Sequence, residues 1–264
     1  MAVVKDIYMS LDRFAPFRTQ MDFDNAGLLV GNEKANVKKI LVSLDITLPV
    51  IQEAIEMGAD LIVAHHPVIF HPVKSIVKGE LTGETLIALI QNNISAICAH
   101  TNLDVAAGGV NDALAEALTL KDIEVFLPDG LDEQGRPYGL GRIGVLEEPC
   151  ALPEFAKRVK ERLGANGVRY VDVGRPVRRV AVGGGACGGS LYDAFAKGCD
   201  AFVTSDVKYD GFLDAKALGI GLIDAGHFPT ENVVLPVLEE VLKKDFPELD
   251  ICLSQVHKEV FSYL

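Results

Sequence analysis

Two adjacent histidines follow a predicted buried strand, a position that suggests metal binding. The strand, Leu61–Ala64, is a short apolar run that leads into His65, His66 and Pro67. Pro67 lacks an amide hydrogen, so the strand should end before it. Neutral imidazole is the commonest metal-ligating side chain. Since neighbouring residues of a regular strand face opposite sides, both rings reach one site only if the backbone turns before Pro67.

Two other predicted strands also end in residues that bind metals. One leads into His100 and Asp104, and another leads through Asp224 into His227 and Glu231. His227 and Glu231 are four residues apart across a predicted helix start, so their side chains can meet. Ligands bind at the carboxyl ends of strands in open α/β sheets. The three strand ends are therefore candidates for one shared site.

Three imidazoles and two carboxylates can hold two divalent metal ions. In this hypothesis His65, His66 and His227 bind the ions, and the carboxylates of Asp104 and Glu231 bind or bridge them. Two ions about 3.5–4 Å apart can share a hydroxide, lower its pKa and clamp a substrate oxygen, which is hydrolase chemistry. These ligands suit zinc, iron, manganese or cobalt without choosing among them.

Each of these residues also has an ordinary structural explanation. A single histidine at a strand end is commonly a hydrogen-bonded structural residue, Asp104 could cap a helix, and Glu231 could be a first-turn acid favoured by the helix dipole. The metal hypothesis therefore depends on the residues converging in the fold. His100 is the remaining candidate for a group that orients a ligand or acts as acid or base on bound water.

Strands alternate with helices along the chain, which predicts an α/β fold with mostly parallel or mixed sheets covered on both faces. Turn-forming prolines and glycines cluster over residues 127–141 and mark a connection. The predicted division gives two related three-layer halves, residues 1–126 and 127–264, with the metal site between them. After the predicted strand that ends at Asp224, one helix is expected from Pro229 to about Lys244.

The composition excludes several classes of protein. The chain has 264 residues, of which 49% are hydrophobic, and its net charge is −12, which argues against a nucleic-acid or anionic-membrane partner. The five cysteines are scattered without a CxxC pair, which is typical of reduced thiols in a cytoplasmic protein. No apolar run approaches the roughly 18 residues of a membrane span.

A glycine-rich loop offers a competing interpretation. Gly183, Gly185 and Gly188 satisfy G-x-G-x-x-G between a predicted strand and a helix, and Asp206 ends the following strand. This context fits a dinucleotide fingerprint, and so an alternative function is a nucleotide-dependent oxidoreductase. The same loop can also be a tight structural turn or a phosphate-binding nest. Cys187 within it is interpreted as structural, because no partner base is visible.

Several segments together are similar to one known family. They read Asp24-Asn-Ala-Gly-Leu-Leu-Val-Gly31, His65-His-Pro67, His100-Thr-Asn-Leu-Asp104, Asn111 with Asp112, and Asp224-Ala-Gly-His-Phe-Pro-Thr-Glu231. In these segments, which span nearly the whole chain, the sequence resembles the Nif-three-like dinuclear-metal family, also called GTP cyclohydrolase I type 2 homologues. The spacing between the halves resembles the short form of the family, without an inserted domain.

The resemblance implies metal ligands at His65, His66, Asp104, His227 and Glu231, and two divalent ions per chain. It also implies a toroidal homohexamer whose sites face an internal cavity. The family label implies a metal-dependent hydrolase acting on a nucleotide such as GTP or on a similar small molecule. A second hypothesis is a non-catalytic metal-binding hexamer that scaffolds or handles metal.

The chain departs from the family pattern at two positions. Phe23 stands where the family commonly has a tryptophan, and the protein contains no tryptophan. We expect that change to be a packing exchange. Asp210 stands in Ser205-Asp-Val-Lys-Tyr-Asp210, where the family often has a histidine. The absence of that imidazole puts in doubt any proton-transfer role at position 210.

Overall fold

The structure is a computed structural model that describes residues 1–132 and 135–264. Its α-helices are α1 (Val4–Phe14), α2 (Leu48–Met57), α3 (Leu81–Gln91), α4 (Thr101–Val105), α5 (Val110–Ala117), α6 (Leu152–Leu163), α7 (Leu191–Ala196), α8 (Tyr209–Leu218), α9 (His227–Glu231) and α10 (Leu235–Asp245). Its strands are β1 (Gly27–Val30), β2 (Lys39–Ser43), β3 (Leu61–Ala64), β4 (Ser95–Cys98), β5 (Lys121–Leu131), β6 (Pro137–Ala151), β7 (Arg169–Val171), β8 (Pro176–Val182), β9 (Ala201–Thr204), β10 (Gly221–Asp224) and β11 (Asp250–Leu253).

The chain divides into two compact units. The first comprises residues 1–106 and 235–258, and the second comprises residues 107–234 and 259–264. This division differs from the predicted one between residues 126 and 127. The difference arises because β5 pairs with β6 in the sheet of the second unit, whereas β11, near the end of the chain, pairs with β2 in the first.

The first unit contains a five-stranded sheet in the order β1-β4-β3-β2-β11. Strands β4, β3, β2 and β11 are parallel, and β1 runs antiparallel to β4. Because side chains alternate along a strand, Leu41 and Ile62 face α2 and α3 in one hydrophobic cluster. Their neighbours Ile40 and Val63 are also fully buried, on the opposite face. The sheet is therefore buried on both faces, as its nearly continuous apolar strands predict.

Helix α2 shows how local sequence fixes an element of this unit. Thr47 Oγ1 accepts a hydrogen bond from the Val50 amide at 3.4 Å, and Pro49 lies in the first turn. Gly58 ends the helix in the left-handed conformation, with φ of +69°. A cap of this kind stabilises a helix by about 1 kcal/mol.

The second unit contains a six-stranded mixed sheet in the order β5-β6-β8-β9-β10-β7. The three central strands β8, β9 and β10 are parallel, and the outer strands are antiparallel. Val180 and Val182 pack with α5 and α6 in one cluster, while Ala181 packs with α7 in another. Helices therefore cover both faces, and the mixed α/β fold predicted from the sequence is confirmed in both units.

The turn-rich connection predicted over residues 127–141 is instead mostly a β-hairpin. Strands β5 and β6 pair antiparallel up to Leu131 and Pro137, with register shifts that accommodate the turn-forming residues. Pro128 is tolerated because β5 is the edge strand of its sheet. Residues 133 and 134, which fall within the predicted connection, lie outside the described residues.

The helix predicted from Pro229 to Lys244 is also divided. Helix α9 ends at Glu231, a 3-10 turn covers Asn232–Val234, and α10 begins at Leu235. Pro236 follows directly in the first turn of α10, where it is tolerated, but it lacks the amide hydrogen that would continue the hydrogen-bond ladder from α9, which explains the break. No helix in the described parts of the chain is both long enough and apolar enough to cross a membrane.

Candidate metal centre

His65 and His66 converge because the backbone turns at the end of β3. Their amides both donate to the carbonyl of Leu44, at 3.2 and 2.8 Å, which takes the chain out of the regular strand pattern. The two ring centroids are consequently 4.9 Å apart. This is the turn before Pro67 that the sequence required for both rings to reach one site.

Asp104 and His100 join these two histidines at the end of β4. His100 precedes the short helix α4, and its carbonyl accepts the amide of Asp104 at 3.0 Å. The helix places the buried carboxylate of Asp104 so that its Oδ1 lies 3.6 Å from His65 Nε2. Potential ligand atoms of His65, His66 and His100 all lie within 4.8 Å of one another.

An acceptor engages the Nδ1 atom of each of these three rings. His65 Nδ1 lies 2.8 Å from the Ala99 carbonyl oxygen. His66 Nδ1 lies 2.7 Å from Asp45 Oδ1, and His100 Nδ1 lies 2.7 Å from Asp24 Oδ1. Such contacts fix the tautomer of a metal-binding imidazole and orient the ring. They make Nε2 the atom that each ring would present to a metal ion or to bound water.

Asp24 reaches His100 because of the antiparallel pairing of β1 with β4. Gly27 pairs with Cys98, so the residues before β1 lie beside those after β4. Burial raises the pKa of Asp24, but hydrogen bonds from His100 and Thr101 outweigh it and hold this pKa well below its usual range. Burial likewise raises the pKa of Asp45, but hydrogen bonds from His257 and His66 outweigh it and hold this pKa well below its usual range. Both carboxylates are therefore ionised where they orient the histidines.

We expect Asp24→Asn to destabilise the metal-free protein by about 2 kcal/mol at pH 7. The folded pKa is depressed, so the ionised Asp24 contributes stability above its unfolded pKa of about 3.9, and this contribution is lost as the pH falls through the folded value. Urea unfolding of wild type and variant in chelator, between pH 7 and pH 3, should show the difference shrinking below about pH 4. The exposed neighbour Asp22, changed to Asn, is the control. A difference independent of pH would contradict the prediction.

His227 and Glu231 meet in the second unit, as their spacing predicted. Both lie in the short helix α9, and His227 Nε2 is 3.0 Å from Glu231 Oε2. His227 Nδ1 lies 2.6 Å from Asp206 Oδ2. This pair therefore repeats the arrangement of the first unit, with one ring nitrogen held by an acceptor and the other beside a buried carboxylate.

Asp224 connects the two loops that carry His227 and Asp206. Its Oδ1 accepts the Gly226 amide at 3.1 Å, just before α9. Its Oδ2 accepts the Val207 amide at 3.0 Å and a hydrogen bond from the Arg169 guanidinium. One buried carboxylate thus fixes the segments on either side of the His227–Asp206 contact.

The glycine-rich loop packs against Glu231. A Cβ atom added at Gly185, where φ is +60°, would lie 3.0 Å from Glu231 Cδ and 3.3 Å from His227 Nε2. The amide of Gly185 donates to Thr230 Oγ1 at 3.1 Å, and that of Gly184 donates to Asn111 Oδ1 at 2.9 Å. These amides are thus used within the protein, which favours the structural interpretation of the loop over a phosphate nest.

Asp206 also has a different role from the one that a dinucleotide site would give it. In the oxidoreductase hypothesis this acid would bind a ribose hydroxyl. In the structure its Oδ2 contacts His227 Nδ1. Cys187 is buried, in keeping with its structural interpretation.

One expectation for an individual residue is wrong. Phe23 is 65% exposed, so it does not fill a packing position.

The roles of Asp24, Asp45 and Asp206 in orienting histidines were not predicted from the sequence, although Asp45 and Asp206 each follow a strand end. Asp210 lies exposed in the first turn of α8, and its Oδ1 accepts the amide of Gly211.

The residues present fit divalent metal ions. Each unit offers imidazole nitrogen beside carboxylate oxygen, a donor combination that suits zinc, iron, manganese and cobalt. Gly185 provides the space in which the Glu231 carboxylate lies against His227. The five residues predicted as ligands thus fall into two local sets, His65, His66 and Asp104 in the first unit, and His227 and Glu231 in the second.

The fold and these donor sets define an α/β protein with candidate metal ligands at its strand ends. Residues 2–260 match the model of the Duf34/NIF3 (NGG1p interacting factor 3) family, and the chain belongs to that family. The resemblance seen in the sequence motifs is therefore confirmed.

Relatives match the chain over nearly its whole length. A GTP cyclohydrolase 1 type 2 homolog of Clostridium perfringens is 34% identical over 263 residues, which cover 99% of each chain. The crystal structure of a Staphylococcus aureus hypothetical protein is 33% identical, with a TM-score of 0.93 and coverage of 99% of each chain. A Bacillus cereus protein related to NIF3 is 28% identical, with a TM-score of 0.93, covering 100% of this chain and 99% of that one.

Proposed function

We propose that the protein is a metal-dependent hydrolase that acts on a nucleotide or a similar small molecule. Its metal ligands would be His65, His66, Asp104, His227 and Glu231, the residues predicted from the sequence. One observation carries the proposal: in both units, an imidazole with its Nδ1 held by an acceptor directs its Nε2 toward a buried carboxylate. This is the usual arrangement of metal-binding histidines.

The side chains have distinct parts in this proposal. His65, His66 and His227 bind through Nε2, while Asp45 and Asp206 hold the tautomers of His66 and His227. Asp104 and Glu231 supply negative charge that would bind or bridge the ions. Two bound ions would lower the pKa of a water molecule and polarise a substrate oxygen. His100, held by Asp24, would orient that water or exchange a proton with it.

The substrate class comes from the relatives. Two relatives that are 34% and 35% identical to the chain carry the name GTP cyclohydrolase 1 type 2 homolog. A purine nucleotide is accordingly the first compound to test. The homohexamer and the cytoplasmic location expected from the sequence are also part of this proposal, and light scattering of the purified protein checks the first of them.

Metal content is the experiment that tests the site. Wild type, His65→Ala, His227→Ala and the control His71→Ala are purified, reconstituted anaerobically and measured by plasma mass spectrometry. His71 is an exposed histidine outside the candidate ligand groups. We expect about two ions per chain in wild type and control, and loss of metal in the two other variants. A wild type that binds no metal would refute the proposal.

Glu231→Gln separates catalysis from metal handling once metal is found. The purified proteins are screened against nucleotides, phosphoesters and cyclic amides, with exposed Glu240→Gln as the control. A hydrolase loses turnover in Glu231→Gln and keeps it in the control. Metal bound by the wild type without turnover of any of these compounds would instead support the non-catalytic, metal-handling alternative.

A further inference from the structure

Two large aromatic side chains stand exposed beside His100. Phe23 is 65% exposed and Phe70 is 38% exposed. Their ring centroids are 6.5 Å apart with an interplanar angle of 68°. The Phe70 ring also lies edge-on to His100, at 5.9 Å and 86°. Phenylalanine is among the residues most often buried. An exposed pair of phenylalanines beside His100, the candidate acid or base, therefore suggests that a bound molecule covers it.

Hydrogen bonds hold both rings in place. Phe23 precedes Asp24, whose carboxylate binds His100 Nδ1 at 2.7 Å and the Thr101 amide at 2.9 Å. Asn25 Nδ2 donates to the carbonyl of Ile69 at 2.5 Å, which ties the Phe23 loop to the segment that carries Phe70. The two rings are therefore presented on backbone that is already fixed, and fixed backbone reduces the entropic cost of binding a ligand.

We infer that Phe23 and Phe70 bind the planar heteroaromatic ring of the substrate, next to His100. This inference rests on the proposed function and specifies its substrate class. At 68° the two rings form a corner, which accepts a flat plate against one ring and its edge against the other. The imidazoles of His71 and His100 both contact Phe70, at 4.8 and 5.9 Å, so the apolar corner has a polar border. An apolar corner bordered by polar rings suits a nucleobase better than a broad apolar protein surface.

Phe23→Trp tests this inference directly, because the protein contains no tryptophan. The variant carries one fluorophore at the corner, and it is titrated with GMP and with ribose 5-phosphate, in zinc-loaded and in chelated protein. We expect GMP to quench the emission and ribose 5-phosphate to leave it unchanged. Phe195→Trp, at a 44% exposed phenylalanine of α7 in the second unit, corrects for absorption by the nucleotide and should show no specific quenching.

Substitutions at Phe70 in the Phe23→Trp background test the second ring. Phe70→Leu keeps apolar volume but removes the ring, and should weaken GMP binding roughly 5- to 150-fold, the range for loss of one base-stacking side chain. Phe70→Tyr keeps the ring and should bind GMP as the parent variant does. Equal affinity of the leucine and tyrosine variants would overturn the role of Phe70.

The outcomes separate this inference from the proposed function. Metal binding without quenching by GMP would overturn the ring site while leaving the metal proposal intact. Quenching by GMP in a protein that binds no metal would uphold the ring site and refute the metal proposal. An emission maximum that shifts with protein concentration, and not with GMP, would show that a second copy covers the corner and would overturn the inference.

Discussion

Removing the bound metal is expected to lower the melting temperature of the protein by about 10 °C. An ion that binds only the folded state stabilises it by about 4 kcal/mol when its concentration is a thousand times the dissociation constant. For a chain of this size each kcal/mol corresponds to about 2–4 °C. The buried carboxylates of Asp104 and Glu231 lie beside His65 and His227 at 3.6 and 3.0 Å. In each unit the folded chain holds these donor groups side by side for metal, and unfolding would disperse them.

Thermal unfolding of zinc-loaded protein with and without chelator provides the measurement. Wild type and the exposed-histidine control His71→Ala should both lose about 10 °C in chelator. His65→Ala should unfold at the same temperature in both conditions, because one of its ligands is missing. If chelator leaves the melting temperature of zinc-loaded wild type unchanged, metal does not contribute to the folded state.

The strand ends and the meeting of nearby residues could be predicted from the sequence. The apolar run Leu61–Ala64 is a strand as predicted, because its side chains are buried on both faces. The spacing of His227 and Glu231 predicted their contact for a similar reason, since four residues span about one helical turn. Both predictions depend on local geometry, which short stretches of sequence determine.

The orienting carboxylates could not be predicted in the same way. Asp24 reaches His100, 76 positions further along the chain, only because β1 pairs antiparallel with β4. Nothing in either segment specifies that pairing, which depends on the whole sheet. The hairpin of β5 and β6 was missed because its prolines and glycines are typical of turns, whereas an edge strand and register shifts accommodate them.

The glycine-rich loop shows why a motif needs its surroundings. Gly183, Gly185 and Gly188 have the spacing of a dinucleotide fingerprint. In the structure, the space that the absent side chain leaves at Gly185 is taken by the carboxylate of Glu231. The glycine that would allow a pyrophosphate to approach the backbone instead allows a candidate metal ligand to do so. The requirement for glycine is the same in both cases, and only the neighbour distinguishes them.

Gly185→Ala is consequently expected to abolish metal binding and to destabilise the fold by about 2–5 kcal/mol. The added methyl group would be strained at φ of +60° and would lie 3.0 Å from Glu231 Cδ, so the carboxylate must move away from His227. Gly164→Ala is a matched control, because Gly164 has φ of +62° with nothing within 4 Å of an added Cβ.

The comparison of these two variants isolates the effect of the collision with Glu231 from the effect of the backbone conformation. Gly164→Ala should cost about 1 kcal/mol, from the left-handed conformation alone, and should keep the zinc content of wild type. Urea unfolding in chelator and zinc analysis after reconstitution give the two quantities. If Gly185→Ala bound zinc like the control, the position of Glu231 against the glycine loop would not matter for the metal. The added methyl group at position 185 collides with a candidate ligand, Glu231, and not with the loop amides. Loss of zinc in Gly185→Ala, with zinc retained in Gly164→Ala, would therefore link the glycine motif to metal binding.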